Sequence, residues 1–309
     1  MRLTVTGATG LIGSALLAEL KSHGHEVTLL SRDPQRASAQ VQVQALRWDP
    51  LSEPAPVDAL AGRDAVVHLA GEPVAQRWSP ATKRAIRESR VRGTHNLVEG
   101  LRAVSPTGAG PPEQARPRIL ISASAAGYYG PHREEPLDEE APPGRDFLAQ
   151  VCAAWEAEAH AASELGLRVV QVRTGVVLDR HGGALAKMLP PFRLGVGGPV
   201  AGGRQYISWI HGADLVGMML AALTDDSWSG PINATAPEPV TNAEFSRALG
   251  RVLHRPALLP VPGLALRALY GEMAEIITTG ARVLPAKALM LGYGFRYAHL
   301  EEALRSALG

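Results

Sequence analysis

Seven residues, Gly7-Ala8-Thr9-Gly10-Leu11-Ile12-Gly13, constrain this chain more than any other stretch. They stand between a strand-like run, Leu3–Thr6, and a segment from Ile12 whose apolar residues recur at helical spacing. A glycine turn that closes a strand and opens a helix has a physical use. Gly7 can take the tight turn, Gly10 lets a phosphate approach the backbone, and Gly13 lets helix and strand pack closely. The helix start then offers unpaired N–H groups and a partial positive charge to phosphate. Gly7, Thr9, Gly10, Leu11, Ile12 and Gly13 are therefore candidate dinucleotide contacts.

The rest of the first two-thirds repeats that alternation. Glu26–Ser31, Ala65–Ala70, Arg118–Ser122 and Arg168–Arg173 read as strands, and Ile12–His23, Pro80–Arg102 and Phe147–Leu165 as helices. Apolar strands separated by helices predict an α/β fold, a Rossmann-type doubly wound parallel sheet covered on both faces. We expect this NADP-binding domain to span residues 1–230, with a substrate-side insertion around 180–210. A smaller, mostly helical C-terminal portion, 231–309, would close over the site, its helix after Thr241 begun by a Thr241–Glu244 cap. Two stretches read as irregular: 104–117, a surface loop, and 130–145, either a solvated loop or an active-site loop. The glycine-rich run 195–204 reads as a mobile flap or a plain hairpin loop.

The end of the second strand bears on which dinucleotide is bound. Arg32 lies 19 residues after Gly13, where an acidic residue would accept from a ribose hydroxyl and an Arg would pair with a 2′-phosphate. Ser31 can add a hydrogen bond, while Asp33 more naturally starts the turn with Pro34. NADP(H) is thus the expected cofactor. Asp49 can meet the adenine edge or serve as a turn residue. Leu69, Ala70 and Gly71, ending the fourth strand, let a cofactor lie close to the backbone; His68 reads as structural. Ser122, Ala123 and Arg173 also fall near strand C-terminal ends, where sites form in such sheets.

Composition narrows the remainder. Lys plus Arg (31) nearly balance Asp plus Glu (30), and the net charge of +1 gives no argument for nucleic acid or an anionic membrane as partner. No apolar stretch reaches the length of a membrane span. One Cys cannot form an internal disulfide, which fits a cytoplasmic protein. No paired-Cys or His-Glu-x-x-His spacing suggests a metal, and no Gly-x-Ser-x-Gly suggests a hydrolase.

The segment VTGATGLIGSAL (5–16) resembles the opening of the extended short-chain dehydrogenases/reductases. Longer stretches, HLAGEPVAQRWSPATKRAIRESRVRGT (68–94), SASAAGYYG (122–130), FLAQVCAAWEAEA (147–159), VVQVRTGVVL (169–178) and 259–297, are similar to an atypical, epimerase-like group of that family. Its members were once described as cell-division inhibitors, and the likeness runs through nearly the whole chain. The resemblance implies an oxidoreductase or epimerase acting on a small carbonyl, hydroxyl or sugar-nucleotide-like substrate, with a homodimer as the family's habit. It also implies that Glu72 and Arg77 help hold the cofactor and that Ser124 is the catalytic Ser. It suggests that His211 and Asp214 order the chain, with Asp214 capping a helix.

The family's Tyr-x-x-x-Lys is missing. Leu148 stands where the Tyr should be and Cys152 where the Lys should be. Three readings stay open. Tyr128 or Tyr129 beside Ser124 supplies the phenol; the acid or base comes instead from the charged loop, where Glu134, Glu135 and Asp138 are available; or the protein binds NADPH as a non-catalytic sensor or partner-binding module.

Overall fold

The computed structural model describes residues 1–106, 114–132 and 134–309. Residues 107–113 of the first irregular stretch and Arg133 of the second lie outside them. The strands β1 (Arg2–Thr6), β2 (Glu26–Ser31), β3 (Ala45–Arg47), β4 (Ala65–His68), β5 (Ile119–Ala125), β6 (Arg168–Thr174) and β7 (Gly230–Ala234) form one sheet in the order β7-β6-β5-β4-β1-β2-β3. Every pairing is parallel. The order reverses between β1 and β4, which opens a crevice at their C-terminal ends.

The longer helices are α1 (Leu11–Ser22), α2 (Pro34–Val41), α3 (Pro80–Ala103), α4 (Phe147–His160), α5 (Gly183–Arg193), α6 (Gly212–Thr224), α7 (Asn242–Leu253), α8 (Gly263–Tyr270) and α9 (Leu300–Leu308). Leu16 and Leu20 of α1 and Leu215 and Met219 of α6 pack with Leu3, Val67, Ile121 and Val172 in one core layer. Leu97 and Leu101 of α3 and Ala159 of α4 pack with Val66, Leu120 and Val169 in another. The strands are buried along most of their length because both faces are covered.

Four details bear on how the site is positioned. The buried stripe of α1 is Gly13, Leu16, Leu17 and Leu20, while Ala15 and Glu19 face solvent. Gly13 must press against the β1 turn, and that fixes the helix's rotation. Strand β4 stops at His68 because the Leu69 and Ala70 N–H groups turn to Thr6 Oγ1 (3.2 Å each). Strand β7 carries the sheet to Ala234, so the expected boundary at 230 falls at the start of a sheet strand. The helix-like stretch after Gly263 divides into α8, a 3-10 turn, a short helix at Ala274–Thr278 and a strand at Arg282–Val283.

That last strand pairs with Pro136–Leu137, so the C-terminal portion is tied to the charged loop after β5. The glycine-rich run is likewise bonded rather than a free flap. Val261 N–H donates to Pro199 (2.8 Å), Ala201 N–H to Val261 (3.0 Å) and Val200 N–H to Asn242 Oδ1 (2.7 Å). Helix α7 begins with the capping box that Thr241 and Glu244 predict. Asp214 does not cap α6; His211 does, and Asp214 instead accepts from the Arg296 and Tyr297 N–H groups (2.7 and 3.0 Å).

Candidate cofactor and active site

The glycine turn lies in the crevice, and its three glycines are needed for different reasons. Gly7 has φ +69°, and a β-carbon there would stand 2.7 Å from the Leu69 carbonyl. A β-carbon on Gly13 would stand 2.3 Å from Gly7 O and 2.7 Å from Ala8 Cα, which is the close helix–strand contact expected of it. Gly10 is different. It is exposed, its nearest neighbour would be Gly7 O at 3.3 Å, and as N-cap of α1 it leaves the first-turn N–H groups without a side-chain cap. Thr9 is exposed beside it, and Leu11 and Ile12 are half-buried. Leu11 packs toward Gly182 and Gly183, bringing the segment after β6 to the turn.

A buried relay fixes the floor. Thr6 Oγ1 accepts from two N–H groups, so its own proton goes to His68 Nδ1 (2.8 Å). His68 Nε2 then donates to Thr94 Oγ1 on α3 (3.1 Å). Burial pushes the His68 pKa down to about 4, so the ring is neutral and structural.

At the end of β2, Arg32 is exposed and Ser31 half-buried. Asp33 is occupied: its carboxylate accepts from Arg36 N–H (3.0 Å) and caps α2, with Pro34 following. Asp49 also works within its own turn, accepting from Leu51 N–H (3.1 Å) and Ser52 Oγ (2.7 Å). The Ser52 and Leu51 hydrogen bonds, aided by Arg32 and Arg47, hold its carboxyl below the usual range. Leu69 and Ala70 line the exit of β4, and Gly71 is exposed above Arg90, whose guanidinium a β-carbon at Gly71 would meet at 3.4 Å. Arg90 donates to the Glu72 carbonyl (2.9 Å) and lies 5.2 Å from the Trp155 ring centre. Glu72 is further fixed by Ser89 and Gln76 (3.0 and 3.2 Å). Arg77 reaches the other way, to the Leu269 carbonyl of α8 (3.4 Å).

The reaction end holds the surprise. Ser124 is 4% exposed and donates to Glu156 Oε1 (2.6 Å). Arg173 grips the same carboxylate with two bonds of 2.9 Å, and donates to the Tyr129 hydroxyl (2.9 Å) and the Glu139 carbonyl (3.0 Å). Tyr129, fully buried, donates to Asn233 Oδ1 (2.6 Å). Burial pushes its pKa up to about 12. Burial disfavours the Arg173 charge, yet the Glu156 carboxylate overrides it and raises the Arg173 pKa.

Three of the candidate residues are engaged within the protein. Ser124 and Tyr129 spend their protons inside the protein, and Arg173 is a buried clamp rather than a free cofactor ligand. Tyr128 is the half-buried one of the pair, with Arg173 stacked 3.6 Å from its ring centre; burial raises its pKa, against the pull of Arg173. Ser122 is buried, and Ala123 is half-buried on the opposite pleat.

Leu148 and Cys152 lie on α4 as the family alignment requires. Leu148 packs beneath Gly127, and burial pushes the Cys152 thiol up to about 12, making it an inert apolar filler. The loop acids Glu134, Glu135 and Asp138 face solvent. Glu139 is the acid that turns inward, accepting from Asn233 and Lys287 N–H groups (2.9 and 3.1 Å). Glu156 announces itself only as the next i+4 position after Leu148 and Cys152. Nothing in an irregular loop marks Glu139.

The sequence model of the NAD dependent epimerase/dehydratase family matches residues 3–233, and that of a domain of unknown function, DUF1731, matches residues 261–307. The chain is 42% identical to the chloroplastic epimerase family protein SDR39U1 homolog of Arabidopsis thaliana, over 100% of this chain and 87% of that protein. It is similar to the crystal structure of human epimerase family protein SDR39U1 (isoform 2) with NADPH, at TM-score 0.86 and 35% identity, covering 99% of each chain. A nucleoside-diphosphate sugar epimerase from Corynebacterium glutamicum superposes at TM-score 0.77 and 38% identity, over 100% of this chain and 58% of that one. No helix among the described residues is long and apolar enough to cross a membrane.

Proposed function

The chain belongs to the NAD-dependent epimerase/dehydratase family, and from that premise we propose that it is an NADP(H)-dependent oxidoreductase or epimerase acting on a small carbonyl- or hydroxyl-bearing substrate. The observation that carries the cofactor reading is the division of labour after β2. Asp33, the one acid that argues for NAD, is consumed in capping α2, and Arg32 stands exposed beside Ser31. A guanidinium there suits a 2′-phosphate. The open backbone at Gly10 and the uncapped start of α1 suit the pyrophosphate. The human relative's structure with NADPH supports the same reading.

When bound, the nicotinamide supplies or accepts a hydride. The proton side falls to this chain. With Ser124 and Tyr129 committed inward, Tyr128 is the remaining hydroxyl of the three. Its raised pKa keeps it protonated at neutral pH, which makes it a donor to a carbonyl oxygen and a poor base. Reduction is therefore the favoured direction, with Tyr128 giving up a proton to the substrate oxygen.

Thermal-shift titration with NADP(H) and NAD(H), on wild type and Arg32→Ala, tests the cofactor. A ligand at about 100 times its dissociation constant adds about 2.7 kcal/mol to the folded state. A phosphate-selective shift lost in Arg32→Ala supports the reading; equal shifts with NAD(H) overturn it. Leu148 and Cys152 favour one second reading, an NADPH-binding protein without turnover. Deuterium transfer from labelled NADPH to a carbonyl panel, abolished in Tyr128→Phe, excludes that alternative.

A further inference from the structure

Among the described residues, most large apolar side chains left in solvent belong to two stretches, 194–196 and 258–276. The chain brings these stretches together. A β-carbon on Gly195 would touch Pro256 at 3.6 Å, one on Gly198 would meet Leu259 O, and Val200 bridges Val261 in parallel. Leu194 and Leu258 stand 78% and 79% exposed, flanked by the half-exposed Val196 and Leu259. Beyond them α8 adds Leu264 and Leu269, also exposed.

Cations rim the same edge. Arg247, Arg251, His254 and Arg255 line a shallow hollow of about 450 Å³ whose wall includes Leu258. Arg255 Nε donates to the Arg193 carbonyl (3.1 Å), which brings the 193–194 turn to this rim. Glu301 accepts from both Arg251 (2.6 Å) and Arg305 (2.9 Å), so Arg193, Arg247 and Arg255 add to a cationic edge that this one carboxylate does not balance.

We propose that this edge docks on an anionic phospholipid surface, with Leu194 and Leu258 entering the interface and the arginines meeting headgroup phosphates. A projecting apolar crest beside a cationic hollow is the arrangement that interfacial proteins use, and each Arg near an anionic leaflet adds about a fivefold gain in binding. The competing occupant, an acidic amphipathic peptide, wants its apolar anchors received in a groove. Here the leucines protrude instead.

Flotation of the whole chain with phosphatidylcholine vesicles, alone or containing about a third phosphatidylglycerol, is the test. The expected result is flotation with the anionic vesicles only, lost at high salt. Leu194→Ser/Leu258→Ser should stay at the bottom of the gradient, and Arg247→Gln/Arg255→Gln should bind roughly 30-fold more weakly. NADPH-induced thermal shifts, unchanged in both variants, would show that they fold. Wild type that never floats overturns the proposal. Flotation that survives the leucine and arginine changes overturns it equally.

Discussion

Acid should take this protein apart from beneath the cofactor turn. His68 is fully buried and neutral, and its pKa falls from the usual 6.5 to about 4 in the folded protein. The unfolded chain therefore binds one more proton than the native state throughout that window. Stability is complete above pH 6.5 and declines by roughly 1.4 kcal/mol per pH unit below it, until the folded ring itself titrates near pH 4. The accumulated loss from this one ring is about 3 kcal/mol, a large share of the 5–15 kcal/mol that holds a typical domain. Urea unfolding between pH 7 and 4 measures it, and Trp48, whose ring centre lies 6.2 Å from that of His68, reports locally. Other groups titrate in the same range, so the informative quantity is the slope in wild type minus that in His68→Gln. That difference should approach one proton. Parallel slopes would mean that His68 titrates as it does in water, and the Thr6–His68–Thr94 relay would then be wrong. NADPH affinity should hold through that window and fall only near pH 4, where the folded ring takes up its proton and displaces the Thr6 hydroxyl from Nδ1 beneath Leu69 and Ala70.

Gly13→Ala drives a β-carbon into the Gly7 and Ala8 backbone, so it should cost about 2–3 kcal/mol in urea unfolding and abolish the NADPH thermal shift. Arg173→Met leaves the Glu156 carboxylate buried without its partner and should cost about 3–5 kcal/mol, much of it recovered in Arg173→Met/Glu156→Gln; equal losses in the single and double variants would refute a buried pair. Cys152, with its thiol pushed up to about 12, should resist iodoacetamide at pH 8 in the native protein, as read by intact mass. Rapid alkylation of the native chain would show a reactive thiol instead.

The nucleotide half was legible because its chemistry is local in sequence. Gly7, Gly10 and Gly13 each act within the strand, turn and helix they join, and Arg32 stands exposed at the end of the next strand, so spacing carries the information. Even Asp33's diversion into the α2 cap follows from Pro34 beside it. The reaction half was not legible because its contacts are long-range. The family resemblance makes Ser124 the catalytic Ser, yet Glu156, 32 residues away, decides where its proton points. Tyr129 and Tyr128 are adjacent in sequence, but Asn233 on β7 pulls only the first into the core. Charge placement is long-range in the same manner. A value of +1 averages over the chain, whereas Arg193, Arg247 and Arg255 reach one edge only because two distant segments run side by side.

The face of α4 formed by Leu148, Cys152 and Glu156 connects these observations. Two of its positions would normally handle a proton at the cleft, and here they hold a methyl-bearing side chain and an un-ionised thiol. The polar group that remains, Glu156, works inward: it accepts from Ser124 and anchors Arg173, which in turn holds Tyr129 and the loop carbonyl of Glu139. Asn233 and Lys287 then carry the bonding to β7 and to the C-terminal portion. Polar side chains beside the reaction end are thus largely spent on joining the parts of the fold. A protein built this way can bind a dinucleotide tightly while keeping little acid–base equipment for its substrate. If it turns over, the substrate must suit a neutral phenol donor, and reducible carbonyls meet that condition better than alcohols awaiting a base.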